Sequence, residues 1–332
     1  MRRIGERQRW VWLAAGLSAV ASVELCGIGW LWVLLGGLAV CGYYLYIEKN
    51  LLEGGLAEKL TSGFGFAGKV LAALTVFWII LVMGRCACLV DTAFPMVDGF
   101  PTLGWVLLAL AAWGSRKGAK ACAGCSGILS LFLIALYGVV TVFSVPDVQL
   151  PYLVPQGSWE DGVRTVGFFL LPAAVWYVPV TRRKGKKQAM ILLVPIAAAA
   201  LSAVTAGVLS PELARQTEVP VYELSRSVSV LGVVERIEPL LSAAMTMGLF
   251  SLLSAMACAC QMLADEIVPT PWSGSLCCVA AAGTMYVVKA WPEAFLLMGN
   301  GLFFLLLPVV TIVVEKTLKK VKKGVDKDAG QC

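Results

Sequence analysis

The 332-residue chain contains no histidine at all. That absence removes Ser–His and Cys–His dyads, His-ligated zinc and imidazole proton shuttles. Charge is scarce as well: 14% of residues are Asp, Glu, Lys or Arg, against about 25% in a soluble domain. With 59% apolar residues and a mean hydropathy of +0.81, too little polar surface remains to cover a water-soluble body. Intrinsic disorder, coiled coil and the disulfide-stapled mini-protein are excluded by the same figures. Period-2 alternation is also missing, since the apolar residues come in long blocks, and this argues against a β-barrel. What remains is an all-α polytopic membrane protein.

Eleven cysteines are present, but Cys26, Cys41, Cys122, Cys125, Cys258, Cys260, Cys277 and Cys278 lie in or beside apolar runs. No polar ligand accompanies any pair, so these thiols read as small packing residues rather than a metal or redox centre. No cofactor is implied.

A span needs about 20 mostly apolar residues. About ten candidates occur, at 10–23, 27–47, 66–90, 102–114, 121–145, 165–180, 189–209, 239–261, 272–289 and 297–314. The first two share one run from Trp10 to Ile47, broken by Glu24, Gly27 and Gly29. A single helix of that length overshoots a bilayer, which predicts a tight hairpin. Basic residues fix the orientation. Four precede Trp10, three lie at 49–69, three at 116–120, five at 182–187 and six beyond 315, so 21 of the 27 fall in alternate loops. Both termini are thereby expected on the cytoplasmic side. The +6 net charge is a topology signal, and no folded basic domain supports nucleic-acid binding. The Lys-rich tail 315–332 reads as a solvated flank within reach of anionic membrane lipids.

No cleavable leader is apparent, because the first apolar run flows into a second span. Two segments on the far side are long. Residues 146–164 are Pro-rich and predict an ordered non-helical loop. Residues 210–238 open with Pro211 and Glu212 and carry apolar residues at helical spacing, predicting an external amphipathic helix. Neither is long enough to be a catalytic domain.

Glu24 is the clearest ionisable residue inside an apolar run, a position that marks either a buried site or the cap of a short hairpin. Arg85 and Asp91 end the third span, where the long arginine can snorkel to the interface. Glu235, Arg236 and Glu238 precede the eighth span and suggest an ion-pair cluster. The sixth span carries Pro172 and Pro179. Pro172 removes a backbone donor and breaks the helix, either as a packing kink or as half of a midplane site. Transporters built from inverted repeats place such discontinuous helices at corresponding positions of each half. A 5+5 division pairs this span with the first, which has Gly16, Ser18, Ala19, Ala21 and Ser22 at its centre.

At this point the chain resembles a family. The run VPVYELSRSVSVLGVVERIEPLLSAAMTMGLFSLLSAMACACQ (219–261) is similar to the external helix and eighth span of the B subunit of GerA-type spore germinant receptors. DVQLPYLVP (147–155), GERQRWVWL (5–13) and WLWVLLGGLAVCGYYLY (30–46) resemble that family's loop before span six, its N-terminal segment and its second span. The resemblance implies an APC-superfamily, LeuT-like 5+5 inverted repeat in the spore inner membrane. It implies binding of a small-molecule germinant, usually an amino acid, within a complex with A-type and C-type receptor subunits. Carried over by position, the ligand site falls at Ser18, Ala19, Ala21 and Ser22 of the first span and at Gly167, Phe168, Phe169, Leu171 and Pro172 of the sixth. The eighth span contributes near Thr246 and Phe250. Ala19 and Ala21 replace the family's paired glycines, and about ten residues before the second span are missing. Germinant sensing is the leading expectation. A free-standing amino-acid permease is the alternative, and a membrane enzyme is disfavoured because no acid, base and nucleophile converge.

Overall fold

The structure, a computed structural model, describes residues 3–51, 55–93, 102–155, 157–181, 191–217, 219–227 and 238–329. Fourteen α-helices occur among them, with one two-stranded parallel sheet and several 3₁₀ and π segments. Five helical segments are long and apolar enough to cross a membrane: Trp30–Asn50, Phe66–Asp91, Ala119–Asp147, Pro239–Asp265 and Glu293–Leu318. Leu193–Leu209 and Ser273–Lys289 are apolar but shorter.

The run from Trp10 to Ile47 does fold as a hairpin. Helix α1 (Glu6–Val20) ends in one π turn, Ala21–Leu25, and α2 (Trp30–Asn50) departs after a four-residue turn. Two glycines set how the hairpin packs. A side chain at Gly27 would meet the Ala214 carbonyl at 2.7 Å, and one at Gly37 would meet Pro195 at 2.6 Å. Small residues are what allow helix backbones to approach in an apolar solvent. Ser202 Oγ donates to the Ile28 carbonyl at 2.6 Å and Trp30 Nε1 to that of Leu153 at 3.0 Å, fixing the turn to its neighbours.

Helices α3 (Leu56–Phe64), α4 (Phe66–Ala93), α5 (Thr102–Lys117) and α6 (Ala119–Ser144) follow. Asp91 Oδ1 accepts from the Leu103 and Gly104 amides at 3.0 and 2.9 Å, capping α5 rather than facing solvent. Gly118, at φ +91°, turns α5 into α6, a conformation that other residues rarely adopt. The segment 146–164, expected to be non-helical, contains 3₁₀ turns at Val145–Asp147 and Leu150–Leu153 and the first residues of α7 (Trp159–Phe169). Ser158 and Asp161 form a capping box there, so the helix starts earlier than its apolar residues suggest.

Span six is broken. After α7 the backbone tightens into a 3₁₀ segment, Leu171–Tyr177, then extends into β2 (Val180–Thr181), which pairs with β1 (Ile4–Gly5). Helix α8 (Leu193–Leu209) leads into α9 (Pro211–Gln216) and α10 (Pro220–Ser227). Within the described part of 210–238, the single amphipathic helix expected there is two short ones, because Thr217 is extended. Residues 228–237, with Glu235 and Arg236, lie outside the described residues. Helices α11 (Glu238–Asp265), α12 (Ser273–Lys289), α13 (Glu293–Asn300), a π segment Gly301–Leu306 and α14 (Leu307–Ala329) complete the chain. Helix α11 is the most enclosed of the long helices, with 67% of its apolar window buried, and it packs on α1, α4, α5, α6 and α12. All the described cysteines except Cys125 are buried.

Candidate functional site

Three backbone segments are irregular: the π turn Ala21–Leu25, the 3₁₀ segment Leu171–Tyr177 and the π segment Gly301–Leu306. The last two touch each other, whereas the turn Ala21–Leu25 packs on α7, α8 and α10. Each leaves carbonyls without the i+4 amide that an α-helix would supply. Pro172 has no N–H to offer, and the Ala173 amide turns to the Leu170 carbonyl at 2.9 Å. The freed carbonyls of α7 are taken up by side chains of other helices. Tyr44 Oη donates to the Phe169 carbonyl at 2.6 Å, and Asn300 Nδ2 donates to that of Gly167 at 3.2 Å. Asn300 Oδ1 in turn accepts from Trp78 Nε1 at 3.1 Å. Across the π segment, Tyr43 Oη donates to the Phe304 carbonyl at 2.7 Å and Tyr177 Oη to that of Phe303 at 2.9 Å. The broken span is therefore wired to α2, α4 and the last span through uncharged polar groups.

The small residues of the first span and the broken sixth span do meet. A side chain at Gly16 would come within 3.0 Å of Pro172, and one at Gly248 within 3.0 Å of Ala19. Ser18, Ala19, Ala21, Ser22, Phe168, Phe169, Leu171 and Pro172 are all buried. Ser22 Oγ donates to the Ala19 carbonyl at 2.8 Å. Thr246 Oγ1 likewise donates to its own helix, at the Ser242 carbonyl, and Phe250 is partly buried on the core. A side chain at Gly167 would collide with Leu297. The residues expected to surround a ligand are thus packed on one another, and the chain stays helical through 18–22, passing from α-helix to π turn at Ala21 without an extended break.

Charged groups occupy the two ends. At the end carrying the N-terminal strand, Arg9 is 2% exposed. Its Nη1 pairs with Glu48 at 3.1 Å, its Nη2 donates to the Val178 carbonyl at 3.2 Å, and its guanidinium lies 4.7 Å from the Trp176 ring centre. The β1–β2 pairing and the Lys59–Glu315 ion pair at 2.8 Å tie further elements together at this end. At the distal end, Glu24 stands in the π turn and interacts electrostatically with Arg85, Arg164 and Glu293. Arg164 and Glu293 form an ion pair joining α7 to α13. An open recess of about 320 Å³, lined by Ala73, Val76, Ala264, Ile267, Thr270 and Leu276 among others, lies between α4, α11 and α12, away from the broken span. Among the described residues no group of three or more Cys, Asp or Glu is placed to hold a metal ion.

Sequence reasoning did not single out Asn300, Trp78, Tyr44 or Arg9. A lone Asn within the apolar run 293–314 was the available signal, because an amide in a span must find partners. Tyr44 and Trp78 carried no such mark.

No protein-family model matches the sequence, and no curated protein matches it. Among solved structures, the chain is similar to Mhp1, a nucleobase-cation-symport-1 family transporter, in a closed conformation with bromovinylhydantoin bound. The TM-score is 0.52 at 14% identity, over 91% of this chain and 75% of that one. The likeness is one of fold: this is an integral membrane protein with a transporter-like helical architecture.

Proposed function

We propose that this protein binds a small nutrient within a LeuT-like bundle of ten spans and acts as the membrane sensing subunit of a spore germinant receptor. The 5+5 repeat is supported by which elements touch. Spans five apart in the chain pack on each other: α1 on 171–177, α2 on α8, α4 on α11, and α5 on α12. Both termini are assigned to the cytoplasm by the loop charges, with the spore inner membrane as the site of action.

The observation that carries a sensing role is the satisfaction of the broken span by its own chain. The Gly167 and Phe169 carbonyls, which a carrier would offer to cargo, are held by Asn300 and Tyr44, and the N-terminal strand pairs with the chain that leaves the broken span. Such a bundle responds to a ligand by redistributing those internal bonds, and passes the change to partners instead of opening a path. A-type and C-type receptor subunits are the partners in this reading. Coexpression with them and affinity capture of this chain tests it: failure to co-purify refutes the receptor assignment.

The second reading is a free-standing amino-acid permease, favoured by the likeness to a transporter with a ligand bound. Ligand-dependent uptake into proteoliposomes containing this chain alone would establish it and displace the sensor.

A further inference from the structure

Helix α11 carries Cys258 and Cys260, two residues apart and therefore about 200° apart around its axis. They face different neighbours. The Cys258 thiol is hydrogen-bonded to Cys122 of α6, and the Cys260 thiol donates to the Cys277 sulfur of α12. The second contact follows from a close approach of backbones. A side chain at Gly274, one turn before Cys277, would meet the Ala257 carbonyl at 3.1 Å and Gln261 Cβ at 3.2 Å, on either side of Cys260. A glycine at that position lets α11 and α12 come together, and it brings the thiols with them. Spacing along a single helix does not reveal such a pair, which is why these cysteines read as packing residues in the sequence.

The two pairs differ in access. Cys277 lines the open recess of about 320 Å³ between α4, α11 and α12, together with Ala73, Ala264, Ser273 and Leu276. It is 7% exposed, whereas Cys260 behind it is 0% exposed. Neither Cys122 nor Cys258 lines that recess. A thiol reacts where a reagent can reach it, so contact and access coincide only at Cys260–Cys277.

We propose that Cys277 and Cys260 are an oxidisable thiol pair, reached through the recess by a small organic hydroperoxide dissolved in the membrane, and that the product is a disulfide joining α12 to α11. The Cys277 sulfur attacks the terminal peroxide oxygen. The O–O bond breaks, and the alkoxide leaves as the alcohol with the proton of Cys277. The Cys260 sulfur then attacks the Cys277 sulfenic acid. An S–S bond forms, the S–O bond breaks, and the hydroxyl leaves as water with the proton of Cys260. Two thiols and one hydroperoxide thus give one disulfide, one alcohol and one water. Sulfurs already in hydrogen-bond contact need only a short side-chain movement to reach the bonded distance of about 2.05 Å. The bond fixes α11, which packs on α1 and on 171–177, against α12. The inference is independent of the ligand the bundle binds.

The test uses the full-length chain, reduced and reconstituted in nanodiscs of saturated lipid, and treated with tert-butyl hydroperoxide. Remaining thiols are blocked with N-ethylmaleimide, and the chain is cut by trypsin and a glutamate-specific protease. Cleavage after Arg236, Glu266 and Lys289 puts Cys258 and Cys260 on one peptide and Cys277 and Cys278 on the next. Mass spectrometry should find these two peptides joined and two hydrogens lighter. A link to the peptide beginning at Ala121, which carries Cys122, should form at least about tenfold more slowly. Cys260→Ser and Cys277→Ser should each abolish the link, and Cys122→Ser and Cys278→Ser should keep it. Ala73→Trp, which fills the recess without touching either thiol, should slow it by about tenfold or more. The proposal is overturned if the two peptides stay unlinked, if the Cys122 link forms as fast, if the link survives Cys260→Ser or Cys277→Ser, or if Ala73→Trp leaves the rate unchanged. Each variant is compared at a melting temperature close to that of wild type, so a loss of folding is not read as a loss of reactivity.

Discussion

Replacing Asn300 by alanine gives a sharp trial of the idea that the broken span is held by its neighbours. Asn300 is 2% exposed and holds two groups at once, the Gly167 carbonyl at 3.2 Å and the Trp78 indole N–H at 3.1 Å. Both bonds are buried. If each bond is worth the average measured between membrane helices, the loss is about 1 kcal/mol for the pair. If each orphaned group carries its full desolvation penalty, the loss reaches about 5 kcal/mol. At roughly 2 °C per kcal/mol for a chain of this size, the melting temperature should fall by about 2–10 °C. A fluorogenic maleimide reads the transition directly, because Cys26, Cys41, Cys258 and Cys260 are unpaired and buried until the bundle opens. Scans are compared at one heating rate, since unfolding in detergent is governed by rates. Trp78→Phe supplies the internal control. It removes the indole N–H while keeping a ring beside Phe303, whose centre lies 5.6 Å from that of Trp78. The double variant should lose less than the sum of the two singles, by about 0.5–1.5 kcal/mol. A shift within about 1 °C of wild type for Asn300→Ala, with strictly additive singles, would refute the claim that this amide holds the break.

Other variants probe neighbouring contacts. Arg9→Ala withdraws the buried guanidinium from Glu48, the Val178 carbonyl and the Trp176 ring and should cost about 3 kcal/mol, read in the same melting assay. Faster amide exchange at Ile4 and Gly5 in Arg9→Ala would report release of the β1–β2 pairing. Tyr44→Phe removes one 2.6 Å bond to the Phe169 carbonyl and should lower stability by about 1 kcal/mol, read by its melting temperature relative to Asn300→Ala. Gly167→Leu collides with Leu297 and should cost about 1–3 kcal/mol as an overpacked interface. Leu297→Ala in the same chain should restore much of that loss if the collision is its cause.

How much of this was legible beforehand follows the physics of each feature. The hairpin at Gly27–Gly29 could be read because a bilayer limits helix length and glycine permits close approach. The break at Pro172 could be read because a missing N–H is a covalent fact. The start of α7 was misplaced because its first turn is set by the Ser158–Asp161 capping box, and the apolar pattern says nothing about caps. The small residues of the first span were found, but not their state. Whether Ala19 lines a pocket or packs on Gly248 depends on the distance between α1 and α11, and no spacing within one helix encodes it.

The sequence by itself determined the solvent of this protein and the helical class. Scarcity of charge, absence of histidine and long apolar blocks are additive quantities, and a bilayer admits few answers to them. Only the tertiary structure decided which polar groups are spent on the fold and which are left over. Asn300 and Tyr44 are consumed by the carbonyls of the broken span, Asp91 by the amides of α5, and Arg9 by Glu48 and Val178. Among the described residues, Glu24 Oε1 and Arg85 Nε are left without a hydrogen bond. That division is a matter of distances between residues far apart in the chain, so it exists only once the helices have packed.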